Sequence, residues 1–345
     1  MNQRIERVRA AVEEPFLVTN GVNVRYLTGF RSSNAAVLVE ADRIRLFADF
    51  RYAVAGRKVE GAEFVETTRN LVESVAGFLS GTVAFEADTL TYAEYETLRA
   101  GGLDLVPTRG VVLGLRAVKD EEELAALRRA SAVGNRAFER LAKEPFVRRT
   151  ERAMAWRMEE LLHEEGAEAL SFPVIVAAGP NGANPHTTPG DRAIGAGETV
   201  VVDAGAVVGG YCSDCTRTFT TGDLPDDLGA AYAVCLEAQL AGLGAVQPGA
   251  QGRDVDAVAR RIVDASSFPG TFGHGLGHGV GLEVHESPVL RPESTDTLEA
   301  GNVTSVEPGV YLEGRGGIRI EDLVIVQEGS PEILTSFPKE LVTVG

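Results

Sequence analysis

The sequence predicts an α+β protein of two domains, and three observations carry that reading. Its 345 residues exceed what one small domain needs and suit two. Residues 1–116 alternate short strand and helix patterns. From about residue 170 the chain is strand-rich and glycine-rich, with helices expected near 151–166, 226–243 and 251–265. Between these regions, "LRAVKDEEELAALRRASAVGNRAFERL" reads as a long amphipathic helix opening a second domain over 117–345.

The individual elements follow from local signals. "AAVLVEADRIRLFADF" reads as a hairpin turning at Ala41–Asp42, and "TYAEYETLRAGG" as a helix ended by glycine. Asp120 can cap the long helix, with Glu123 at the third position reaching back. Leu124, Leu127, Ala130, Ala137 and Leu141 then recur at helical spacing. No repeat, low-complexity tract or chemical motif falls within 1–116, and the groups with chemical promise all lie in the second half.

Fifty acidic against thirty-three basic residues leave a net charge of −17, which repels nucleic acid and anionic membranes. The amino end, "MNQRIERVRAAVEEPFLVTN", is charged throughout without an apolar signal core, and no run of eighteen apolar residues suggests a membrane span. Three cysteines, an odd number, point to reduced thiols and a cytoplasmic protein. Cys212 and Cys215 form a C-x-x-C, but their flanks read as strand and no second pair completes a zinc site. They are expected to face away from the residue of interest between them. The chain contains no G-x-S-x-G, no G-x-x-x-x-G-K-[ST] and no H-E-x-x-H.

"ETVVVDAGAVVGGYCSDCTRTF" (198–219) is two β-rich runs around "VVGG", a hairpin signature. A turn centred between Val208 and Gly209 sets Asp203 opposite Asp214, with Cβ atoms about 4.5–5.5 Å apart. Like charges so placed are destabilising unless a cation lies between them. Asp203 also follows the apolar run Val200–Val202, where an unpaired carboxylate costs several kcal/mol, so a bound cation is the economical explanation. Glu307 in "NVTSVEPGVYL" precedes a Pro-Gly that cannot extend a central strand. Glu321 in "GGIRIEDLVIV" lies within an otherwise apolar strand.

"TFGHGLGHGVGLEVHESP" (271–288) holds three of the five histidines. His274 and His278 are four apart, but glycines at 273, 275, 277, 279 and 281 oppose a helix, each costing about 1 kcal/mol relative to alanine. Glycine instead permits close backbone approach in a tightly built site. On extended chain 274 and 278 share a face and 285 does not, unless a turn between them resets the parity.

Together these residues resemble the pita-bread metallopeptidases: the Xaa-Pro dipeptidases (prolidases), aminopeptidases P and methionine aminopeptidases. "YLTGFRSSNAAVLV" is similar to the amino domain of the proline-specific branch. "VVDAG", "YCSDCTRTF", "GHGVGLEVHE", "SVEPGVY" and "GIRIEDLVIV" resemble the family's ligand motifs, in family order. The resemblance implies a creatinase-like α/β amino domain over 1–116, serving substrate access and dimerisation, and a pita-bread catalytic domain over 117–345. It implies that Asp203, Asp214, His278, Glu307 and Glu321 hold two divalent ions, with Asp214 and Glu321 bridging. Creatinase shares the fold without this ligand set. Four carboxylates and one imidazole are a mostly hard donor set, suited to Mn²⁺, with Co²⁺ or Zn²⁺ as alternatives. Such a pair of ions polarises a scissile carbonyl and activates water. By the same resemblance Glu307 takes the proton from the nucleophile, His285 and His186 steady the tetrahedral intermediate and substrate, and His274 contacts the substrate.

The implied activity is hydrolysis of Xaa-Pro bonds in dipeptides by a cytoplasmic homodimer that engages neither nucleic acid nor membrane. The alternatives are an aminopeptidase P-like or less proline-selective peptidase acting on longer peptides, and a non-catalytic binding protein on the same fold. Many prolidases carry an arginine four residues after the equivalent of His285, gripping the dipeptide carboxylate. That position is Val289 here, with Arg291 the nearest arginine and Arg31 or Arg51 of the amino domain as other sources of a clamp. The chain also lacks the extended amino domain of larger aminopeptidases P, and its "EVHE" differs from their common "VHD". Methionine aminopeptidases generally lack an amino domain of this size.

Overall fold

A computed structural model describes residues 3–345. The chain divides into two compact units, Met1–Arg116 and Ala117–Gly345.

In the first unit, strands β1 (Phe16–Val18), β2 (Ala35–Val39), β3 (Ile44–Asp49), β4 (Glu63–Thr67), β5 (Thr82–Glu86) and β6 (Asp104–Thr108) form one mixed sheet, in the order β4-β3-β2-β1-β5-β6. Val39 pairs with Ile44, so the β2–β3 hairpin turns at Ala41–Asp42 as the sequence predicts. Helix Tyr92–Ala100 opens on a Thr91–Glu94 capping box and stops at Gly101. Asp49, at the end of β3, accepts from Arg51 at 2.8 Å and from the Asn34 side-chain amide at 2.8 Å. The Arg51 guanidinium is thus committed to a carboxylate inside its own unit.

The second unit begins with helix Glu121–Leu141, whose Asp120–Glu123 capping box has both reciprocal hydrogen bonds. Leu124, Leu127, Ala130, Ala137 and Leu141 are all buried, as their spacing requires. Its short strands are β7 (Ala169–Leu170), β8 (Ile175–Ala178), β9 (Thr199–Asp203), β10 (Ala206–Val208), β11 (Tyr211–Cys212), β12 (Thr216–Thr220), β13 (Gly277–Gly279), β14 (Glu286–Leu290), β15 (Val303–Val306), β16 (Gly309–Leu312), β17 (Gly316–Arg319), β18 (Asp322–Ile325), β19 (Glu332–Ile333) and β20 (Val342–Thr343). Sheets β20-β12-β9-β8 and β14-β13-β15-β18-β19 dominate, and apart from β12–β20 every pairing in this unit is antiparallel.

Each half of this unit has its own helical cover. Helices Glu121–Leu141 and Glu151–Glu164 bury Phe138, Met154 and Met158 against Val176, Val200, Val202 and Phe219. Helices Asp226–Ala245 and Gly252–Ala265 bury Ala231, Ala238, Val255 and Ala259 against Val306, Val310, Ile318 and Val324. Among the described residues one helix, Asp226–Ala245, is long and apolar enough to cross a membrane by length and composition. Its Leu228, Ala231, Cys235, Ala238 and Leu243 lie inside this second core cluster.

Two long hairpins face the two helical covers, and both are broken in the middle. In the first, Val208 pairs with Tyr211 and Asp203 with Thr216, one register running through β9–β12 and β10–β11. This corrects the sequence expectation that the turn centres between Val208 and Gly209. The central residues are Gly209 and Gly210, with φ of 60° and 80°. A two-residue turn of this hand needs φ > 0 twice, which two glycines adopt freely and a β-branched valine does not. Asp214 is therefore diagonal to Asp203 rather than directly opposite, yet still on the same sheet face. In the second hairpin, β15–β18 and β16–β17 likewise share one register, and the break falls at Glu307–Pro308 against Ile320–Glu321. The single strand expected through "GGIRIEDLVIV" is thus two, and Glu321 occupies the gap between them.

Candidate metal centre

The broken hairpins place acids where the ladder hydrogen bonds stop. Asp203 ends β9, Asp214 lies between β11 and β12, Glu307 between β15 and β16, and Glu321 between β17 and β18. Backbone groups across the break hold the halves together: the Glu321 amide donates to Thr216 O at 3.1 Å and the Glu307 amide to Leu276 O at 2.8 Å.

Asp203, Asp214 and Glu321 each direct an oxygen into one group whose atoms lie within 4.8 Å of one another. His278 joins them, its Nε2 3.2 Å from Glu307 Oε1 and 3.7 Å from Asp214 Oδ2. All five residues picked from the sequence as ligands therefore converge. The glycines beside His278 explain how it reaches the site. A Cβ on Gly277 would fall 2.0 Å from Ser305 O, and one on Gly279 2.2 Å from Ser287 O, so β13 fits between its neighbours only with glycine there. Ser305 Oγ accepts from the His278 amide at 3.0 Å and donates to Glu307 Oε1 at 3.0 Å, fixing both groups together.

The electrostatics of the cluster call for cations. Burial pushes the Asp214 and Glu321 carboxyls well above the usual carboxylate range, and the neighbouring carboxylates push them further. Glu307 is raised by burial but brought down to about 2 by the His278 hydrogen bond and charge, and His278 is raised in return. Asp203 Oδ1 and Glu321 Oε1 are buried with no hydrogen-bond partner. A buried carboxylate oxygen without a donor is costly, and divalent ions would satisfy both oxygens while neutralising the cluster. The donor set fits hard divalent metals.

Around the acids runs a second set of contacts that the sequence reading missed. Arg319, almost wholly buried, donates to Asp203 Oδ2 at 2.7 Å, to Thr216 Oγ1 at 3.1 Å and to the Tyr311 hydroxyl at 3.1 Å. Thr216 Oγ1 donates to Glu321 Oε2 at 2.9 Å. The Tyr311 hydroxyl lies 2.9 Å from His274 Nε2, while His274 Nδ1 is 2.8 Å from Gly275 O. Burial raises Tyr311 to about 12 and lowers His274, so a neutral imidazole accepts from the phenol while its Nδ1–H donates to the carbonyl. Arg319 precedes Glu321 by two residues, and that same-face spacing was its one signal in the sequence.

His285 also lies at this centre, whereas His163 stands on helix Glu151–Glu164 with its Nδ1 3.1 Å from Ala167 O. His285 meets His278 ring to edge, centroids 4.2 Å apart, so the turn after β13 does bring position 285 to the same place as 278. Burial and the charge of His278 lower its pKa. His186 is exposed on the segment after β8, next to Pro185, whose carbonyl lies 3.4 Å from the Arg319 guanidinium. Val289 pairs directly with His278 across the β13–β14 ladder. The two cysteines of the C-x-x-C are buried in different clusters, Cys215 against the first helical cover and Cys212 beside Val280 and Leu323.

Paired helical covers over two broken hairpins, with four acids at the breaks and a histidine from β13 beside them, define a metal-dependent hydrolase of the pita-bread class. The chain belongs to metallopeptidase family M24, whose model matches residues 125–328, and the creatinase/prolidase N-terminal domain model matches residues 4–118. It is 30% identical over 353 residues to the Xaa-Pro dipeptidase of Pyrococcus furiosus, covering 99% of this chain and 100% of that protein. The structure of an Xaa-Pro dipeptidase from Bacillus anthracis matches with a TM-score of 0.94 and 36% identity, over 99% of each chain. That of an X-Pro aminopeptidase from Thermotoga maritima matches with a TM-score of 0.90 and 31% identity, over 98% of this chain and 100% of that one.

Proposed function

We propose that this chain is a dinuclear metal-dependent peptidase hydrolysing Xaa-Pro bonds, chiefly in dipeptides. The observation that carries the reading is the convergence of Asp203, Asp214, Glu321, His278 and Glu307 on one buried point with two carboxylate oxygens unpartnered. The Xaa-Pro dipeptidases among its relatives supply the substrate class. Those five side chains would hold the ions, Mn²⁺ by preference for their hard oxygens. Bound there, the ions would supply Lewis acidity and an activated water. The chain's own residues do the rest. Glu307 takes up a proton, His285 donates to the developing oxyanion, and His274 and His186 orient the peptide. Arg319 and Tyr311 hold Asp203 and His274 in place.

The amino-terminal unit, 1–116, serves substrate access and dimerisation in this reading. Phe50 and Val54 stand exposed on it, four residues apart, as an apolar surface for self-association. The enzyme works in the cytoplasm as a homodimer on small peptides; a stable monomer by light scattering at micromolar concentration would contradict the dimer.

A second reading, cleavage of longer peptides, is favoured by one observation. Val289 stands opposite His278, where a cation would be needed to grip a dipeptide carboxylate. Manganese-loaded enzyme incubated with an Xaa-Pro dipeptide, an Xaa-Pro-Yaa tripeptide and a peptide without proline, with products followed by mass, separates the readings. Faster dipeptide cleavage supports the prolidase reading, faster tripeptide cleavage the alternative. Failure to cleave any of them would leave a binding protein.

A further inference from the structure

Glu151 opens helix Glu151–Glu164 and is wholly buried, yet none of the roles above uses it. Its Oε1 accepts from the Ala178 amide at 2.8 Å and from the Asn181 side-chain amide at 3.0 Å. Its Oε2 accepts from Asn181 again at 3.0 Å and from the Gly190 amide at 3.3 Å. Backbone bonds add to the grip, since the Glu151 amide donates to Arg192 O at 3.1 Å and the Arg152 amide to Gly190 O at 3.0 Å. These partners are the two ends of one segment, Ala178 and Asn181 where it leaves β8, Gly190 and Arg192 where it returns. His186 is exposed between them.

The chemistry suits a clamp. A carboxylate accepts several N–H donors at once, each bond stronger than its neutral counterpart, and the first turn of a helix favours negative charge. The near end of the segment is also pressed against β17, because a Cβ on Gly182 would fall 3.0 Å from the Gly317 amide nitrogen. Arg319, which holds Asp203, reaches Pro185 O at 3.4 Å, one residue before His186. The segment is thus tied at both ends by Glu151 and touched near its apex by the metal centre's own arginine.

We propose that Glu151 is the positioning residue for His186. By closing the 178–190 segment at its base it sets where the imidazole meets the substrate. This rests on the reading of His186 as a substrate contact, so the test separates the two. Glu151→Gln keeps the shape but turns an N–H₂ toward N–H donors. In the manganese-loaded full chain, amide hydrogen exchange across 178–190 is expected to rise about tenfold, as loss of one or two hydrogen bonds requires, with other segments unchanged. Metal content should stay at the native level. Turnover of an Xaa-Pro dipeptide should fall as far as in His186→Ala, and the double variant should be no worse than His186→Ala alone.

Unchanged exchange, lost metal, or losses that multiply in the double variant would each overturn the proposal. Full activity in His186→Ala would overturn the substrate-contact reading and with it any link from Glu151 to turnover, while exchange would still decide whether the clamp exists. If Glu151→Gln does not fold, Asn181→Ala removes two of the bonds and keeps the carboxylate. It should speed exchange in the same segment by a smaller factor, and no change there would also refute the clamp.

Discussion

Glu307 stands directly opposite Glu321 across the gap in the second hairpin, because the ladders on either side share one register and both stop at these residues. Two carboxylates facing each other in so enclosed a site can both stay ionised only with positive charge between them. In Glu321→Gln one of the opposed charges is gone. The metal-free protein should then be at least as stable as native, whereas the rise in melting temperature on adding Mn²⁺ should largely vanish. A variant destabilised without metal yet stabilised normally by Mn²⁺ would refute the assignment.

His278 and His285 touch edge to ring but should fail differently. His278→Ala removes a ligand and should lower metal content and stability. His285→Ala should keep its metal and lose turnover, by about 10²–10³ in kcat if it donates to the oxyanion. KM should change less, because the contact strengthens only as charge develops. Elemental analysis with steady-state kinetics decides; equal metal loss in both variants would mean the roles are misassigned.

Gly277 admits no side chain, since its Cβ would meet Ser305 O at 2.0 Å. Gly277→Ala must push β13 away from the residue that holds both His278 and Glu307. The expected cost is about 1–3 kcal/mol in urea unfolding, as for other overpacked interiors. Weaker Mn²⁺ binding by calorimetry should accompany it. Native affinity in the variant would show that this close approach does not position the site.

Val289 faces the same side of the ladder as His278. Val289→Arg would place a guanidinium where a dipeptide carboxylate could be gripped. KM for an Xaa-Pro dipeptide should fall relative to that for a tripeptide, with kcat little altered. An equal change for both substrates would show that this position does not read peptide length.

Asp49 should give the amino-terminal unit an acid-sensitive contribution. Hydrogen bonds from Arg51 and then Asn34 hold its carboxyl well below the usual carboxylate range. A carboxylate with a depressed folded pKa contributes stability that is present above its unfolded pKa and is lost as pH falls toward the folded value. The stability gap between native protein and Asp49→Asn should be largest near neutrality and close in strongly acidic solution. A gap independent of pH would mean the loss is one of packing rather than charge.

Local signals in the chain were enough for much of this molecule. The Asp120–Glu123 capping box, the helix ended by glycine at Gly101, the hairpin at Ala41–Asp42 and the non-helical course of the glycine-histidine stretch each depend on a few adjacent residues, and all are present. The acids were legible for a related reason: a carboxylate in an apolar run needs a partner, whichever strand supplies it. The partner itself was not legible. Alternation along a strand gives the face of a side chain but not the register of its neighbour, so Asp203 proved to oppose Thr216 once Gly209 and Gly210 took the turn. Arg319, Tyr311 and Glu151 were missed because an arginine, a tyrosine and a helix-opening glutamate look ordinary in sequence. Only the folded chain, bringing together residues more than a hundred positions apart, makes Arg319 the partner of Asp203. A closure over 27 and 39 positions sets Glu151 at the base of the His186 segment, a contact that the spacing of residues along the chain does not encode.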